Sequence, residues 1–236
     1  MENVSVPKSF HPFSTEHGWA ILTGAAILTA LILLGKKGGR CRQFATGTLA
    51  FVSLAAYPLG QAAWLSLDAD KSLDNLLPLH LCDIAAITGG FALLLRKPLL
   101  ASLTYFWGLA ATMQGLLTPA ITVGFPTWPF IMFFVHHFVI VGTALYLPIV
   151  EGWRPKQPFW KSPLEVYGWS LGYLAFAMIV NRILGTNFGF ASHRPPNPSL
   201  IDYLGPWPWY LVSMSVIALI LYLLLALPFA GKRAGK

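Results

Sequence analysis

The sequence predicts an all-α polytopic membrane protein, with a single domain of seven transmembrane helices over residues 1–236. Apolar residues make up 56% of the chain and charged residues only 11%, whereas a soluble domain carries about 25% charged residues. Mean hydropathy is +0.61. Most apolar runs approach the ~20 residues that a helix needs to cross the hydrocarbon. A membrane β-barrel would instead show alternating segments of ~10 residues, so helical spans are expected.

The seven predicted spans follow one another through short connections that are rich in glycine and proline. The first span is short, and we expect its helix to begin nearer Phe13. The longest connection, Gly185–Pro206, is too short to fold alone, so no soluble domain remains. In chain order the predicted spans are Trp19–Leu34, Phe44–Leu67, Leu76–Leu95, Leu99–Leu117, Trp128–Val150, Leu164–Leu184 and Trp207–Phe229.

Lysine and arginine alternate between the two sides of the predicted bundle. Twelve lie in one set of connections and three in the other, and Arg182 lies within a span. Basic residues collect on the cytoplasmic side, so the N-terminus is predicted outside and the C-terminus in the cytoplasm of a multi-pass cell-membrane protein. The twelve occupy Gly35–Gln43, Arg96–Pro98, Glu151–Pro163 and Gly231–Lys236; the three are Lys8, Lys71 and Arg194.

Charge also limits the classes of partner and of leader sequence. The net charge of +7 is explained by these topology signals, and no nucleic-acid partner is expected. A cleavable signal peptide carries its positive charge before the apolar run, but here Lys36 and Lys37 follow it. We therefore expect the first span to remain in the mature protein.

Apart from Glu165 at the cytoplasmic start of the sixth span, the strongly polar residues within the spans lie toward the predicted outer side. The third span enters from outside, which places His80, Cys82 and Asp83 roughly 6–11 Å below its outer end. The fifth places His136 and His137 about 12–14 Å down. Ionisable groups in membrane spans are costly and usually functional, so a site in the outer half is predicted. Further polar side chains in this layer are Gln61, Gln114, Asn181, Arg182 and, at the mouth of the first span, Glu16 and His17.

Helical geometry limits the chemistry of this layer. His80 lies about 200° from Cys82 around a helix, so a mononuclear metal held by that pair is disfavoured, whereas His80 and Asp83 share a face. A reactive thiolate needs a neighbouring base, and a histidine from another helix is the usual solution. His136 and His137 diverge by about 100°, so only one is expected to face Cys82. Cys41 lies on the opposite side, which excludes a disulfide within the chain.

Several longer motifs carry a family resemblance over nearly the whole chain. They resemble the YwaF family of bacterial multi-pass membrane proteins, which is distantly similar to an animal membrane acyltransferase that remodels ether phospholipids through a cysteine acyl intermediate. The motifs are Pro78-Leu79-His80-Leu81-Cys82-Asp83-Ile84, Phe106-Trp107-Gly108, Gln114-Gly115-Leu116-Leu117-Thr118-Pro119, Ser199 to Tyr210, Phe13-Ser14 with His17, and Asn181 with Leu184-Gly185-Thr186-Asn187.

The resemblance implies roles for individual residues. Cys82 matches the acyl-accepting cysteine, and His137 matches the histidine of a Ser-His-Gly pattern that is His136-His137-Phe138 here. Which histidine acts is left open. Relatives tend to have Tyr-Met-Phe-Leu where this chain has Phe188-Gly189-Phe190-Ala191, a difference that bears on acyl or headgroup preference.

The first hypothesis is therefore a membrane lipid acyltransferase or transacylase of the outer leaflet, acting on a phospholipid or lysophospholipid. With water as acceptor it would be a lipid-ester hydrolase. Asp83 or Asn181 would orient the histidine, and Gln114 or Asn187 would stabilise the oxyanion. No cofactor and no metal are expected, and the oligomeric state is not predicted. The predicted substrate-binding residues are His80, Gln114, Asn181, Arg182, Asn187 and His17.

Two other classes remain open from the sequence. A transporter or receptor would use the same polar layer to bind a small polar molecule without covalent chemistry. The lack of internal repeats and of polar residues in the inner half disfavours a complete transport path. A haem or metal protein would use one histidine from each of two helices, drawn from His80, His136 and His137.

Overall fold

A computed structural model describes residues 9–66, 73–195 and 198–231, and this portion of the chain is helical. Its one β-type pairing is an isolated bridge between Ser9 and Val123, so the all-α prediction is confirmed. The helices are α1 Thr15–Lys36, α2 Gly39–Leu65, α3 Leu73–Leu76, α4 Leu81–Leu95, α5 Pro98–Phe106, α6 Met113–Leu117, α7 Trp128–Ile149, α8 Lys161–Leu184 and α9 Trp209–Ala226. A π-helical turn, Trp107–Thr112, joins α5 to α6, and 3-10 turns occupy Phe188–Phe190, Leu200–Tyr203 and Leu227–Phe229.

Five of these helices, α1, α2, α7, α8 and α9, are long and apolar enough to cross a membrane. The third predicted span contains only the 15-residue helix α4, and the fourth is composite, running from α5 through the π turn into α6. The structure thus supports a polytopic membrane protein, while the number of seven spans and the orientation stay predictions. Residues outside the described ranges include Lys8, Leu67, Lys71 and the basic segment 232–236.

Helix α7 forms the centre of the bundle. Within its most apolar window 67% of the residues are buried, against 6% for α1. Helices α1, α2, α4 and α5 all pack against it. Close approach depends on small residues: a Cβ added to Gly108 of the π turn would lie only 3.2 Å from the carbonyl oxygen of Ile140. Polar side chains on α7 therefore face protein.

Helix α4 begins later than the sequence predicted, because Pro78 interrupts the apolar run. Proline disfavours the helical conformation of the residue before it and has no N–H to donate. The short helix α3 ends at Leu76, and α4 begins at Leu81. The continuous helix from Leu76 on which the predicted depths of His80, Cys82 and Asp83 were based is therefore not formed: His80 precedes α4, and the other two lie in its first turn.

A satisfied polar cluster closes the end of the bundle opposite to this turn. The Arg42 guanidinium donates to both carboxylate oxygens of Glu151, at 3.3 and 2.8 Å. The Thr46 hydroxyl donates to the same carboxylate at 2.9 Å and is paired with the Tyr146 hydroxyl at 3.0 Å. Burial would raise the pKa of Glu151, but the hydrogen bonds from Arg42 and Thr46 outweigh it and hold that pKa below its ordinary value.

Candidate functional site

Cys82 lies in the first turn of α4, whereas the sequence predicts the second turn of a longer helix. The residue before the helix, His80, is extended (φ −68°, ψ 147°). Its carbonyl accepts hydrogen bonds from the backbone N–H groups of Asp83 and Ile84, at 3.0 and 3.2 Å. The unpaired amides and the dipole of a helix start favour negative charge nearby. A half-buried Cys82 thiolate would therefore be stabilised more by the helix dipole at this position than in the second turn of a longer helix.

Asp83 and His136 complete a compact cluster with Cys82. The thiol sulfur, a carboxylate oxygen and an imidazole nitrogen all lie within 4.8 Å of one another. His136 Nε2 is 3.3 Å from the carbonyl oxygen of Cys82 and 3.7 Å from Asp83 Oδ1. Both the Asp83 and His136 side chains are 11% exposed. The cluster brings together a thiol, an imidazole and a carboxylate, side chains whose chemistry allows them to act as nucleophile, base and orienting group.

His137 lies beside this cluster and contacts a different helix. Its Nδ1 lies 2.8 Å from the carbonyl oxygen of Phe133, and since a carbonyl can only accept, Nδ1 carries the proton in that bond. Its ring stacks on Phe133 with centroids 4.2 Å apart and lies 5.4 Å from the His136 ring. The imidazole packs directly over Gly115, where no Cβ would fit. The histidine whose proximity to Cys82 is measured is thus His136, and a catalytic role for either histidine stays a prediction.

The same three side chains could hold a metal ion. Thiolate, imidazole and carboxylate are the donors that zinc uses, and a three-ligand set leaves one position open. The sequence argument disfavoured a different pair, His80 with Cys82. That argument used helical spacing, which does not apply to His80 because the residue lies before α4. The His80 ring packs on the rings of Phe188 and Phe190, with centroids 5.2 and 6.1 Å apart.

Tyr173 was missed by the sequence analysis and stands at the entrance to α4. Its hydroxyl donates to the carbonyl oxygen of Leu79 at 3.0 Å. A Cβ added to Gly189, which has a positive φ of 64°, would lie 2.9 Å from that hydroxyl. The sequence shows that Tyr173 is a polar residue within the sixth predicted span. It does not show that the hydroxyl bonds to the segment before Cys82, because that contact is between distant parts of the chain.

Asn181 organises the loop that follows α8. Its Oδ1 accepts from the Thr186 hydroxyl at 2.9 Å and from the Phe188 N–H at 2.8 Å, and its Nδ2 donates to the Phe188 carbonyl at 3.1 Å. Phe188 is completely buried. The amide is thus engaged within the chain, and the contacts support a positioning role for Asn181 rather than direct contact with substrate.

Asn187 has a similar role further along the same loop. Its Oδ1 accepts from the N–H groups of Ser192 and His193, and its Nδ2 donates to the His193 carbonyl. Its own backbone N–H donates to Asp74 at 2.6 Å, which ties the loop to α3. The predicted oxyanion role of Asn187 would require these bonds to rearrange.

The last two predicted substrate-binding residues, His17 on α1 and Gln114 on α6, differ in whether their side chains are hydrogen-bonded within the described protein. His17 is 5% exposed; its Nδ1 accepts from the Phe13 N–H and its Nε2 donates to the Leu116 carbonyl, both at 2.9 Å. Both ring nitrogens are thus engaged in joining α1 to α6. Gln114 is half-buried, and its side-chain amide has no protein partner among the described residues, so it is available to a ligand.

Arg182 is exposed at the end of α8 and has no ion-pair partner within the described ranges. It lines a groove of about 710 Å³. One wall is an apolar, exposed surface of α8 that includes Ile179 and Ile183, and the other is the loop with Ser192 and His193. The groove therefore combines an unpaired cation with an apolar wall.

Fold and site together define a class: a polytopic helical membrane protein with a Cys–Asp–His cluster between the start of α4 and the middle of α7. The chain belongs to the TMEM164 family, whose model matches residues 12–226. It is 28% identical over 225 residues to a protein of Treponema pallidum (strain Nichols) described as uncharacterized, an alignment covering 92% of this chain and 90% of that relative. No solved structure matches the chain. The narrower resemblance to the YwaF family stays a prediction.

Proposed function

We propose that the protein is a cysteine-dependent lipid acyltransferase or transacylase that works from the outer leaflet. The observation that carries this proposal is the placement of Cys82 in the first turn of a helix with an imidazole nitrogen of His136 within 4.8 Å. A thiolate beside a base at a helix start is the arrangement expected of a nucleophilic cysteine. Asp83 adds a carboxylate next to that imidazole.

The reaction would run in two halves. The Cys82 thiol gives its proton to a histidine, and the thiolate attacks the ester carbonyl of a phospholipid, forming a C–S bond. The C–O bond to the leaving lysophospholipid breaks, and its alkoxide takes the proton from the imidazolium. A second lysophospholipid hydroxyl then attacks the thioester and releases the thiol. Water in this second half would make the protein a hydrolase.

The predicted orientation suits this chemistry. With seven spans and the N-terminus outside, the start of α4 lies in the outer half of the bilayer, where phospholipid ester groups meet the hydrocarbon boundary. Arg182 in its groove would bind the lipid phosphate through a planar, bidentate pair of N–H groups. The apolar wall of α8 would hold the acyl chains. Phospholipid or lysophospholipid is therefore the proposed substrate class.

The decisive experiment is acylation of the purified full chain by a p-nitrophenyl acyl ester, followed by intact-protein mass measurement. We expect one acyl group on Cys82 in the wild-type protein and none in Cys82→Ala. Cys41→Ala is the matched control because it removes the other thiol, and it should acylate normally. A folded Cys82→Ala protein that still carries the acyl group would refute the thioester mechanism.

The purified wild-type protein and its Cys82 variants also distinguish this function from two alternatives. A transporter or receptor would bind its ligand with Cys82→Ser as it does with wild type, and no acyl adduct would form. A metal protein built on Cys82, Asp83 and His136 would purify with about one equivalent of metal, and Cys82→Ala would lose it. The cluster favours this second alternative over haem, because its three donors include a carboxylate and converge on one point.

A further inference from the structure

Thr112, at the end of the π turn, has a buried hydroxyl without a hydrogen-bond partner among the described residues. The residue is 5% exposed, and its Oγ1 has no hydrogen-bond partner in the described portion of the chain. Buried polar side chains nearly always have a partner, and a side chain that lacks one calls for a reason. Among the possible reasons, a ligand that supplies the missing partner is the functional one.

The π turn explains why Thr112 lacks a local partner. Five other hydroxyls in or directly after these helices donate to the carbonyl four residues earlier. These are Ser102, Thr104, Thr118, Ser170 and Ser215. The wider π turn rotates Thr112 away from that arrangement. Such turns are energetically unfavourable and recur at functional sites. The backbone irregularity thus leaves the Thr112 hydroxyl without a bond to the carbonyl of its own helix or to any other described residue.

Contacts between the helices give the depth at which this hydroxyl lies. Gly108 packs against the carbonyl of Ile140, and Gly115 packs against the imidazole of His137. Thr112 lies between these two glycines along the chain, and both glycines are in contact with α7. The hydroxyl of Thr112 therefore lies at a level between Ile140 and His137.

This level is also that of the Cys82–Asp83–His136 cluster. His136 is the residue next to His137, and its Nε2 is 3.3 Å from the Cys82 carbonyl oxygen. The π turn packs against α4 as well as α7. Thr112 thus lies in the layer formed by the start of α4 and the two histidines of α7. It belongs to a third segment, the π turn between α5 and α6.

We propose that Thr112 is an oxyanion donor for the reaction of Cys82, a role that rests on the acyl-transfer function proposed above. When the thiolate attacks, the C–S bond forms and the carbonyl π pair moves onto oxygen. The Thr112 hydroxyl donates a hydrogen bond to that oxygen. The C=O bond then re-forms, and the alkoxide leaves with the proton held by the imidazolium. The donor keeps its own proton throughout.

The test compares Thr112→Val, Thr112→Ser and the control Thr104→Val in the purified full chain. Thr104 is a completely buried threonine on the preceding helix whose hydroxyl already donates to Leu100 at 2.8 Å. Three quantities are measured: the rate of Cys82 acylation by the p-nitrophenyl ester, the rate of Cys82 alkylation by iodoacetamide, and Tm. Alkylation forms no oxyanion, so it reports only the availability of the thiolate.

We expect Thr112→Val to slow acylation by about 10²–10³-fold, the usual effect of removing one oxyanion donor, with alkylation unchanged and Tm equal or higher. Thr112→Ser should stay within a few-fold of wild type, and Thr104→Val should acylate normally. Acylation of Thr112→Val at the wild-type rate would overturn the proposal, as would equal losses in the Val and Ser variants, because the hydroxyl would then not be the cause.

The outcome separates this inference from the function on which it rests. If wild-type Cys82 takes up no acyl group, the acyl-transfer function fails and the inference fails with it. If wild type is acylated and Thr112→Val is equally fast, only the inference fails. If Thr112→Val lowers Tm, the acylation rates of Thr112→Ala and Thr112→Ser are compared instead, since these smaller side chains also differ by a hydroxyl. Equal rates in these two variants would again refute the role of Thr112 as an oxyanion donor.

Discussion

The two ends of the bundle hold carboxylates that are equally buried but unequally paired. The Asp83 side chain is 11% exposed and that of Glu151 10%. Glu151 accepts two hydrogen bonds from Arg42 and one from Thr46. Among the described residues Asp83 has no lysine or arginine partner, and His136 lies 3.7 Å away. Burial therefore does not distinguish these two carboxylates, but their pairing does.

The same contrast extends to hydroxyls and arginines. Thr46 is bonded to Glu151 and paired with Tyr146, whereas Thr112 has no partner in the described chain. Arg42 donates to Glu151, whereas Arg182 lines a groove without an ion pair to any described residue. A network that satisfies itself stabilises the fold, and groups left unsatisfied retain capacity for a ligand.

The largest expected effect comes from the histidine beside Cys82. We expect His136→Gln to slow acylation of Cys82 by about 10²–10⁴-fold, the usual contribution of a general base. His137→Gln should have the smaller effect, since the imidazole nitrogen within 4.8 Å of the Cys82 sulfur belongs to His136. Acylation rates of the two variants, with Tm as a check on folding, decide the matter. A larger loss in His137→Gln would mean that its unprotonated Nε2 is the base.

Asp83 should behave in the opposite way to a structural carboxylate. Asp83→Asn removes a buried charge that lacks a cationic partner among the described residues, so we expect Tm to stay the same or rise. Acylation should fall by about 10–10²-fold, because the carboxylate no longer favours the imidazolium form of His136. Tm and acylation rate are measured on the same samples. A lower Tm with unchanged acylation would place Asp83 in the structural group with Glu151.

Much of this arrangement follows from the sequence. Apolar run lengths predict α1, α2, α7, α8 and α9, and the two histidines of α7 lie inside their span as predicted. Polar intrusions at one side also predict that Cys82 comes close to a histidine of α7. Each of these inferences depends on local composition and on the geometry of a straight helix.

Other features depend on tertiary contacts that local patterns do not encode. Pro78 was visible, but the loop that replaces the predicted helix before Leu81 is stabilised by Tyr173 and Phe188, which lie far along the chain. Non-helical backbone within a membrane must be covered by protein, and the loop after α8 packs on this segment through Phe188 and Phe190. The π turn at Trp107–Thr112 has no recognisable composition, because it is fixed by packing against α4 and α7.

Arg182 offers a milder test of the contrast between unpaired and paired cations. If its guanidinium binds a lipid phosphate, Arg182→Lys should raise KM for phospholipid by about 10-fold, the magnitude of one charge-assisted hydrogen bond. Acylation of Cys82 by the phosphate-free p-nitrophenyl ester should not change. Full phospholipid activity in both Arg182→Lys and Arg182→Ala would make this residue an interfacial anchor.

The smallest expected effect concerns Glu151 and its pH dependence. The hydrogen bonds from Arg42 and Thr46 outweigh burial and lower the pKa of Glu151 in the folded protein. The unfolded chain, with an ordinary glutamate pKa of about 4.3, therefore takes up a proton first as pH falls. The stabilisation by this carboxylate is present above about pH 4.3 and is lost as pH falls through the lower folded pKa.

Glu151→Gln should accordingly lower Tm at neutral pH by about 2–4 °C, which corresponds to about 1 kcal/mol in a chain of this size. The difference from wild type should shrink as pH falls below the ordinary glutamate pKa of about 4.3 and through the lower folded pKa, where the wild-type carboxylate becomes protonated. Acylation of Cys82 should be unchanged throughout the range where the variant is folded. Glu165→Gln is the control, because the Glu165–Lys156 pair at 2.8 Å is more exposed and exposed pairs contribute little. A Tm difference that does not change with pH would mean that Glu151 stabilises the fold through packing. The contrast between Glu151, which is paired with Arg42, and Asp83, which has no lysine or arginine partner among the described residues, would then have no electrostatic basis.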